Sequence, residues 1–464
     1  MTRHLRMVLP RLALAGSMGV VAAVAVATVG AAAPQSGQEI YWHQWRGPLA
    51  SGVALQGDPP VEWGEDLNVA WKVEIPGRGS ATPVIWNDRI FVLTAVPVEG
   101  DAAPSNGGGH GLDETPGRPR RQRQRGRAVP LPAQEFVVLA IDRATGAVLW
   151  RQTARREMPH ENKQPNNSWA SASAITDGTH MIAHFGSRGL YCYDMDGNPV
   201  WERDLGDMQT RSAFGEGSSP ALFGNTIVLT WDHEGQSFIV ALDKSTGEEL
   251  WRDDRDEPTS WATPLIVEIN GRPQAITGAT NRVRSYDLET GEIVWEGDGL
   301  TMNVIPSPVA SDGIAYLMSG YRGNALRAIS LERARGDISG SDAVIWEHNR
   351  DTPYVSSPLL YGDTLYFLKS NSGILSAFDV TTGKPHFGPV RLEGISEVYA
   401  SPVGVAGHVY VLGRDGNALV LAVGPELRIL AQNSLDDGFD ASPAIVGDEI
   451  YLRGYRYLYR ISEQ

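Results

Sequence analysis

The chain has 464 residues, 42% of them hydrophobic, enough for one large domain or two ordinary ones and too apolar for general disorder. Its formal net charge of −15 excludes a nucleic-acid binder, which needs a broad basic face for phosphate. A single cysteine, Cys192, excludes an internal disulfide and reads as a small buried residue. The 51 glycines and the short, β-branched or aromatic apolar runs fit many strands joined by tight turns, so the chain is read as all-β.

In chain order, Arg3, Arg6 and Arg11 precede an Ala/Val/Leu-rich run from 12 to 33. That order predicts a secretory signal over 1–33, cleaved near Ala32 or Ala33 and removing three positive charges. The run is also roughly long enough to span a bilayer, so a retained anchor is the rival reading. No cysteine follows it, which excludes a lipid-modified N-terminus. Residues 34–67 form an N-terminal extension, and "NVAWKVEI" (68–75) reads as an isolated strand.

From residue 80 onward a phrase recurs eight times, as in "SATPVIWNDRI" (80–90), "SSPALFGNTI" (218–227) and "ASPAIVGDEIY" (441–451). Taking Pro, or Ala174, as the marker gives 83, 174, 220, 264, 308, 358, 402 and 443. The first interval is twice the others because it holds an insertion, about 99–134. That segment carries "RPRRQRQRGR" (118–127), which cannot bury a core and is expected to be disordered. A solvated loop and a contact for an acidic partner are both compatible with it.

After each marker comes a second phrase, such as "AIDRATGAVLW" (140–150), "ALDKSTGEELW" (241–251) and "SYDLETGEIVW" (285–295). Each unit parses as four short strands, and four-stranded sheets at a period of about 40–50 residues predict a β-propeller. The last unit stops at Gln464 after three strands, while 68–75 is a fourth strand with no first three. Pairing them closes an eight-bladed ring of antiparallel blades and removes two open sheet edges. Within the repeat, Asp243 is placed to accept from the turn backbone and Gly247 to adopt a left-handed conformation. Trp71, Trp150, Trp201, Trp251, Trp295 and Trp346 are read as wedges between blades, with Phe387 and Leu430 as weaker seventh and eighth.

The repeated Ala-x-Asp-x-x-Thr-Gly-x-x-x-Trp pattern resembles the pyrroloquinoline-quinone (PQQ) repeat propellers. "HQWRGP" (43–48), "FGEGSSPAL" (214–222), "DEPTSWATPL" (256–265) and "YASPVG" (399–404) are similar to exported bacterial PQQ-binding-like β-propeller repeat proteins. The resemblance spans 41–464 and implies the propeller fold. The wider superfamily includes quinoprotein alcohol dehydrogenases and an outer-membrane assembly lipoprotein. This chain lacks the dehydrogenases' adjacent cysteines, and their calcium ligands and catalytic aspartate find no matching motif. PQQ is therefore a possible cofactor by resemblance but is not expected.

No phosphate-binding glycine loop is present, and His180 and His184 lack a third metal ligand at a useful spacing, so no catalytic or metal residues are assigned. Asp232, His233 and Glu234 in "WDHEG" form the densest polar cluster, either an acid/base group or a loop that satisfies its own backbone. The loops between second and third strands supply Arg188, Arg282, Arg322, Lys369, Arg414 and Arg456, all expected at one mouth of the channel. Guanidinium groups there would favour an anionic small molecule or an acidic protein segment, with Trp169 and Trp261 as stacking surfaces. Local pairing with acids is the competing reading. The chain is thus expected to be an exported periplasmic or extracellular monomer, with no membrane span after cleavage. It would act as a binding or assembly module rather than an enzyme, the alternative being an extracytoplasmic oxidoreductase that uses the same mouth.

Overall fold

The computed structural model describes residues 40–98 and 131–464, together with Met1 and the backbone of Val29–Ala31. Most of the signal segment and of the Arg-rich insertion, including 118–127, lies outside the described residues. Eight antiparallel sheets succeed one another around a ring, as the repeat predicts. Their first, innermost strands are Val84–Trp86, Ile175–Thr176, Ala221–Phe223, Leu265–Ile269, Val309–Ser311, Leu359–Tyr361, Val403–Val405 and Ala444–Val446, which define blades 1 to 8. Blade 8 takes its fourth strand, Val69–Glu74, from the N-terminal side, antiparallel to Tyr457–Ile461. Val29–Ala31 pairs antiparallel with the free edge of the first strand of blade 4.

The residue before each marker is Ser or Thr, and these eight residues stitch the ring together. The backbone N–H of Thr82 donates to the Ser173 hydroxyl, Ser173 to Ser219, Ser219 to Thr263, Thr263 to Ser307, Ser307 to Ser357, Ser357 to Ser401 and Ser401 to Ser442, at 2.9–3.3 Å. Seven of the eight blade junctions are made this way. The eighth falls between blades 8 and 1, where the Thr82 hydroxyl has no partner among the described residues.

The tryptophan wedges explain the second phrase. The indoles of Trp71, Trp150, Trp201, Trp251 and Trp346 each donate to a carbonyl in the following blade's Asp-to-Gly turn, at 2.8–3.2 Å. The turn glycines Gly146, Gly197, Gly247, Gly291 and Gly383 lie against those rings so closely that a Cβ would sit within 2.7 Å of a neighbouring side chain. Trp295 departs from this scheme. Blade 5 lacks the Thr-Gly turn, and Gly336–Asp337 instead pairs in parallel with Trp295–Glu296, leaving Trp295 fully buried.

Leu430 is not the eighth wedge. The strand register sets Ala431 opposite Val420, where other blades have Trp opposite Ala, and Leu430 is exposed. The vacant place is filled from the N-terminal extension by Trp63, stacked on Tyr410 at 6.1 Å, with its backbone N–H donated to Asn433 Oδ1. Phe387 keeps its place and packs toward Tyr366.

The same extension closes one end of the channel. Ile85 of blade 1 donates to the Trp42 carbonyl and Thr176 of blade 2 to the His43 carbonyl. Trp45 donates to the Ser307 hydroxyl at 3.0 Å. Arg46, 1% exposed, donates to the carbonyls of Pro402, Pro358 and Ser51. Gly52 and Ala54 pair with Gly404 of blade 7. This plug, residues 42–54, has no side chain opposite Arg46 to balance its charge, and burial pulls its pKa down to about 9.

Candidate functional site

The antiparallel order places the second-to-third-strand loops and the connections between blades at one end of the ring. At that end lies a cavity of about 440 Å³. Its inner wall comes from all eight blades through Ser80, Ser171, Ser219, Thr263, Ser307, Ser357, Ser401 and Ser442, and the plug contributes Trp45. Because the plug fills the far end, the channel is a cup.

Aromatic rings form its rim. Tyr321 and Tyr354 are stacked at 4.8 Å and 23°, and Tyr399, Phe214 and Trp261 complete the set. The Asn166 amide donates to the Tyr399 hydroxyl at 3.1 Å, and Trp261 donates to the Gly215 carbonyl at 2.6 Å, which fixes both rings. Two carboxylates reach the wall, and each is engaged from behind. Glu216 accepts from the Ser187 N–H and hydroxyl and from Arg188 at 3.0 Å, with burial raising its pKa. Asp440 accepts from Arg414 Nε at 2.6 Å.

The six cations predicted for the mouth do stand on its loops, but none of their side chains lines the cup. Arg188 is 2% exposed and held by Glu216. Arg282 lies 3.6 Å from Asp337, Lys369 2.7 Å from Asp351, and Arg456 3.1 Å from Asp436. Arg414 bridges Glu397 and Asp440 and covers the Tyr399 ring at 4.1 Å. Only Arg322 among the six has no ion pair within the described residues, and it lies over the Tyr321 ring. Pairing is thus local for five of the six.

The "WDHEG" loop satisfies its own surroundings. Asp232 is buried against Arg255 at 2.8 Å and accepts from Ser260. His233 accepts at Nδ1 from the Gln209 N–H and pairs through Nε2 with the Gln236 carbonyl, and Glu234 accepts from Thr259. Trp261 lines the cup and also an adjoining small cavity of about 20 Å³ between blades 2 and 3, which Trp169 borders with Lys163 over its ring. His184 borders that small cavity, and burial drives its pKa down to about 4. Cys192 is buried and its thiol pushed up to about 12, an inert group.

Among the described residues, one set of possible metal ligands converges, His160, Glu161 and Glu216, with ligand atoms within 4.8 Å of one another. Glu161 already accepts from Thr210 and Glu216 from Ser187 and Arg188, so a cation there would compete with a guanidinium. A tricarboxylate quinone such as PQQ does not fit the cup. Its carboxylates call for cations, and among the described residues no Lys or Arg side chain lines the wall. Trp45, Phe214, Tyr321, Tyr354 and Tyr399 were not singled out in the sequence. The available signal was position, since Tyr354, Tyr399 and Trp261 all stand three or four residues before a marker Pro.

The family model described as outer membrane protein assembly factor BamB matches residues 134–296 and 235–464. An outer membrane protein assembly factor BamB from Yersinia pestis is 24% identical over 336 residues, covering 68% of this chain and 77% of that protein. The crystal structure of BamB from Moraxella catarrhalis aligns with a TM-score of 0.50 at 15% identity, over 70% of this chain and 93% of that one. A quinohemoprotein alcohol dehydrogenase from Pseudomonas putida HK5 aligns with a TM-score of 0.55 at 10% identity, over 92% and 80%. These two structural likenesses concern the fold. No helix among the described residues is long and apolar enough to cross a membrane. The chain belongs to the BamB family of PQQ-repeat propellers.

Proposed function

We propose that this exported member of the BamB family is a binding or assembly module whose ligand or partner segment occupies the cup at the loop end. The observation that carries the reading is the one-ended cavity of about 440 Å³, walled by all eight blades and closed behind by Trp42–Arg46. Its volume falls within the range of about 300–1,000 Å³ typical of small-molecule sites. The relatives' name, assembly factor, supports a partner-holding role of the same kind. An anionic ligand or acidic segment would find only Arg322 uncommitted among the six rim cations, so the cup is the better-supported location.

The oxidoreductase alternative would require a quinone that this wall is not built to hold. The protein incubated with PQQ and calcium should not reduce an electron-accepting dye with alcohols. For the main reading, native mass spectrometry of the protein isolated from its exported fraction should reveal a bound mass. That mass should be lost from a Tyr321→Ala/Tyr354→Ala variant. A wild-type protein that carries nothing, or a variant that carries the same mass, would overturn the cup as the site.

A further inference from the structure

The cup's hydroxyl ring and rim define a ligand more narrowly than its volume does. We propose that the cup binds a neutral saccharide of two or three sugar units, an inference that rests on the cup being the binding site.

The argument begins with the hydroxyls. In Ser219, Thr263, Ser307, Ser357, Ser401 and Ser442 the side-chain oxygen accepts a backbone N–H from the preceding blade. Among the described residues none of the six donates its own hydrogen. All are less than a tenth exposed and all line the cavity. Six O–H donors therefore converge on one space, and buried donors of this kind require acceptors.

Acceptors are present on the same wall. Asp440 Oδ2 makes only a 3.4 Å contact with Arg414, which leaves it accepting capacity at the wall, and Gln164 adds a side-chain amide. A ligand that both gives and takes hydrogen bonds at closely spaced positions satisfies the two sets together, which is the property of a polyol.

Charge narrows the choice further. An anion would face Glu216 and Asp440 with no basic side chain on the wall among the described residues. A cation would find both carboxylates already held by Arg188 and Arg414. An apolar ligand would trap the donor ring unpaired. What remains is a neutral polar molecule with apolar faces for the Tyr321–Tyr354 stack and the Trp45 and Trp261 indoles. The C–H faces of a pyranose ring supply those.

The test titrates the full exported chain with maltotriose, cellotriose, N,N′-diacetylchitobiose and digalacturonic acid, by calorimetry and tryptophan fluorescence, at low and moderate salt. At least one neutral member should bind independently of salt and alter the emission of Trp45 and Trp261. The Tyr321→Ala/Tyr354→Ala variant should weaken that binding by about tenfold or more, as loss of a central aromatic contact does. Tyr354→Leu, which keeps the volume but not the aromatic face, provides the same reading should the double variant fail to fold. Three results would overturn the proposal: no member binds, only digalacturonic acid binds with affinity falling as salt rises, or a neutral sugar binds wild type and both variants alike. If the panel is blank while a native bound mass is still lost from the double variant, the saccharide fails and the cup stands. If both are blank, both fail.

Discussion

Gly247 carries two constraints that the sequence alone merged into one. Its φ of +70° was expected of a turn glycine, but the structure adds the Trp201 ring, 2.7 Å from where a Cβ would be. Gly271, with φ of +75° and nothing within 4 Å, isolates the first constraint. Gly271→Ala should cost about 1–2 kcal/mol for the left-handed backbone. Gly247→Ala should cost a further 1–3 kcal/mol, roughly, for overpacking against the wedge. Denaturation midpoints of the two variants would check this, equal losses contradicting it. His184 makes a pH prediction at the same scale. Burial lowers its folded pKa to about 4, below the ordinary value of 6.5, so the unfolded chain binds the proton more readily between those values. Stability contributed by the neutral ring is present above pH 6.5 and is lost as pH falls toward 4, by up to about 3 kcal/mol. His184→Gln should flatten that part of the stability profile relative to wild type, a difference that cancels the contribution of Glu216 nearby. The Asp243 turn was legible for a simple reason, since its carboxylate accepts from Ser245 and Thr246, two and three residues away. His184 was read only as half of a failed metal pair, because what buries it comes from blade 3.

Blades and their strands were legible as far as local pattern reaches. The four-strand unit, the eight repeats and the strand 68–75 as the missing edge of blade 8 all appear in the sheet pairing. Leu430 misled because the turn of blade 7 is one residue longer: Ala431 lies eleven positions after its partner Val420, whereas Trp251 lies ten after Ala241, so the usual spacing falls one residue early, on the other face of the strand. Trp63, its replacement, stands far away in sequence in a segment without repeat character, so no periodicity could find it. Trp63→Ala should destabilise by about 3–5 kcal/mol, as large buried aromatics do. Leu430→Ala should be nearly silent in the same melting experiment, and the reverse order would restore the sequence-based assignment. The Arg-rich insertion joins the second and third strands of blade 1, where Pro97 pairs with Gln134 and Val98 donates to the Ala133 carbonyl. Its ends are therefore already in hairpin register, and replacing 100–130 with a short turn should leave solubility and melting temperature unchanged. Loss of soluble expression would mean that the segment packs on the propeller.

At the scale of the whole molecule, the cup was not legible because it exists only once the ring is closed. The Ser and Thr residues before each marker were visible as a repeat, but their common direction toward one axis follows from eight blades meeting there. The plug was hidden for the same reason, since "HQWRGP" has no partner in its own neighbourhood. Its consequence is a prediction about cooperativity. A ring of repeats in which each blade touches only its neighbours behaves as a one-dimensional array, able to unfold from any weak junction. Here the weakest of the inner-strand links is at blades 8 and 1, where the Thr82 hydroxyl is unpaired among the described residues. The plug opposes this by tying blades across the axis: Trp42 to blade 1, His43 to blade 2, Trp45 to blade 5, and Arg46 to blades 6 and 7. Removing 40–57 while keeping the closing strand should lower the melting temperature and broaden the transition. The calorimetric enthalpy should then exceed the van't Hoff value, the sign of lost two-state behaviour. Arg46→Ala should act in the same direction by at least about 2 kcal/mol, because three carbonyls lose a charged donor. A deletion that melts as sharply as the intact chain would show that blade-to-blade contacts alone make the ring cooperative, and that the plug serves only to floor the cup.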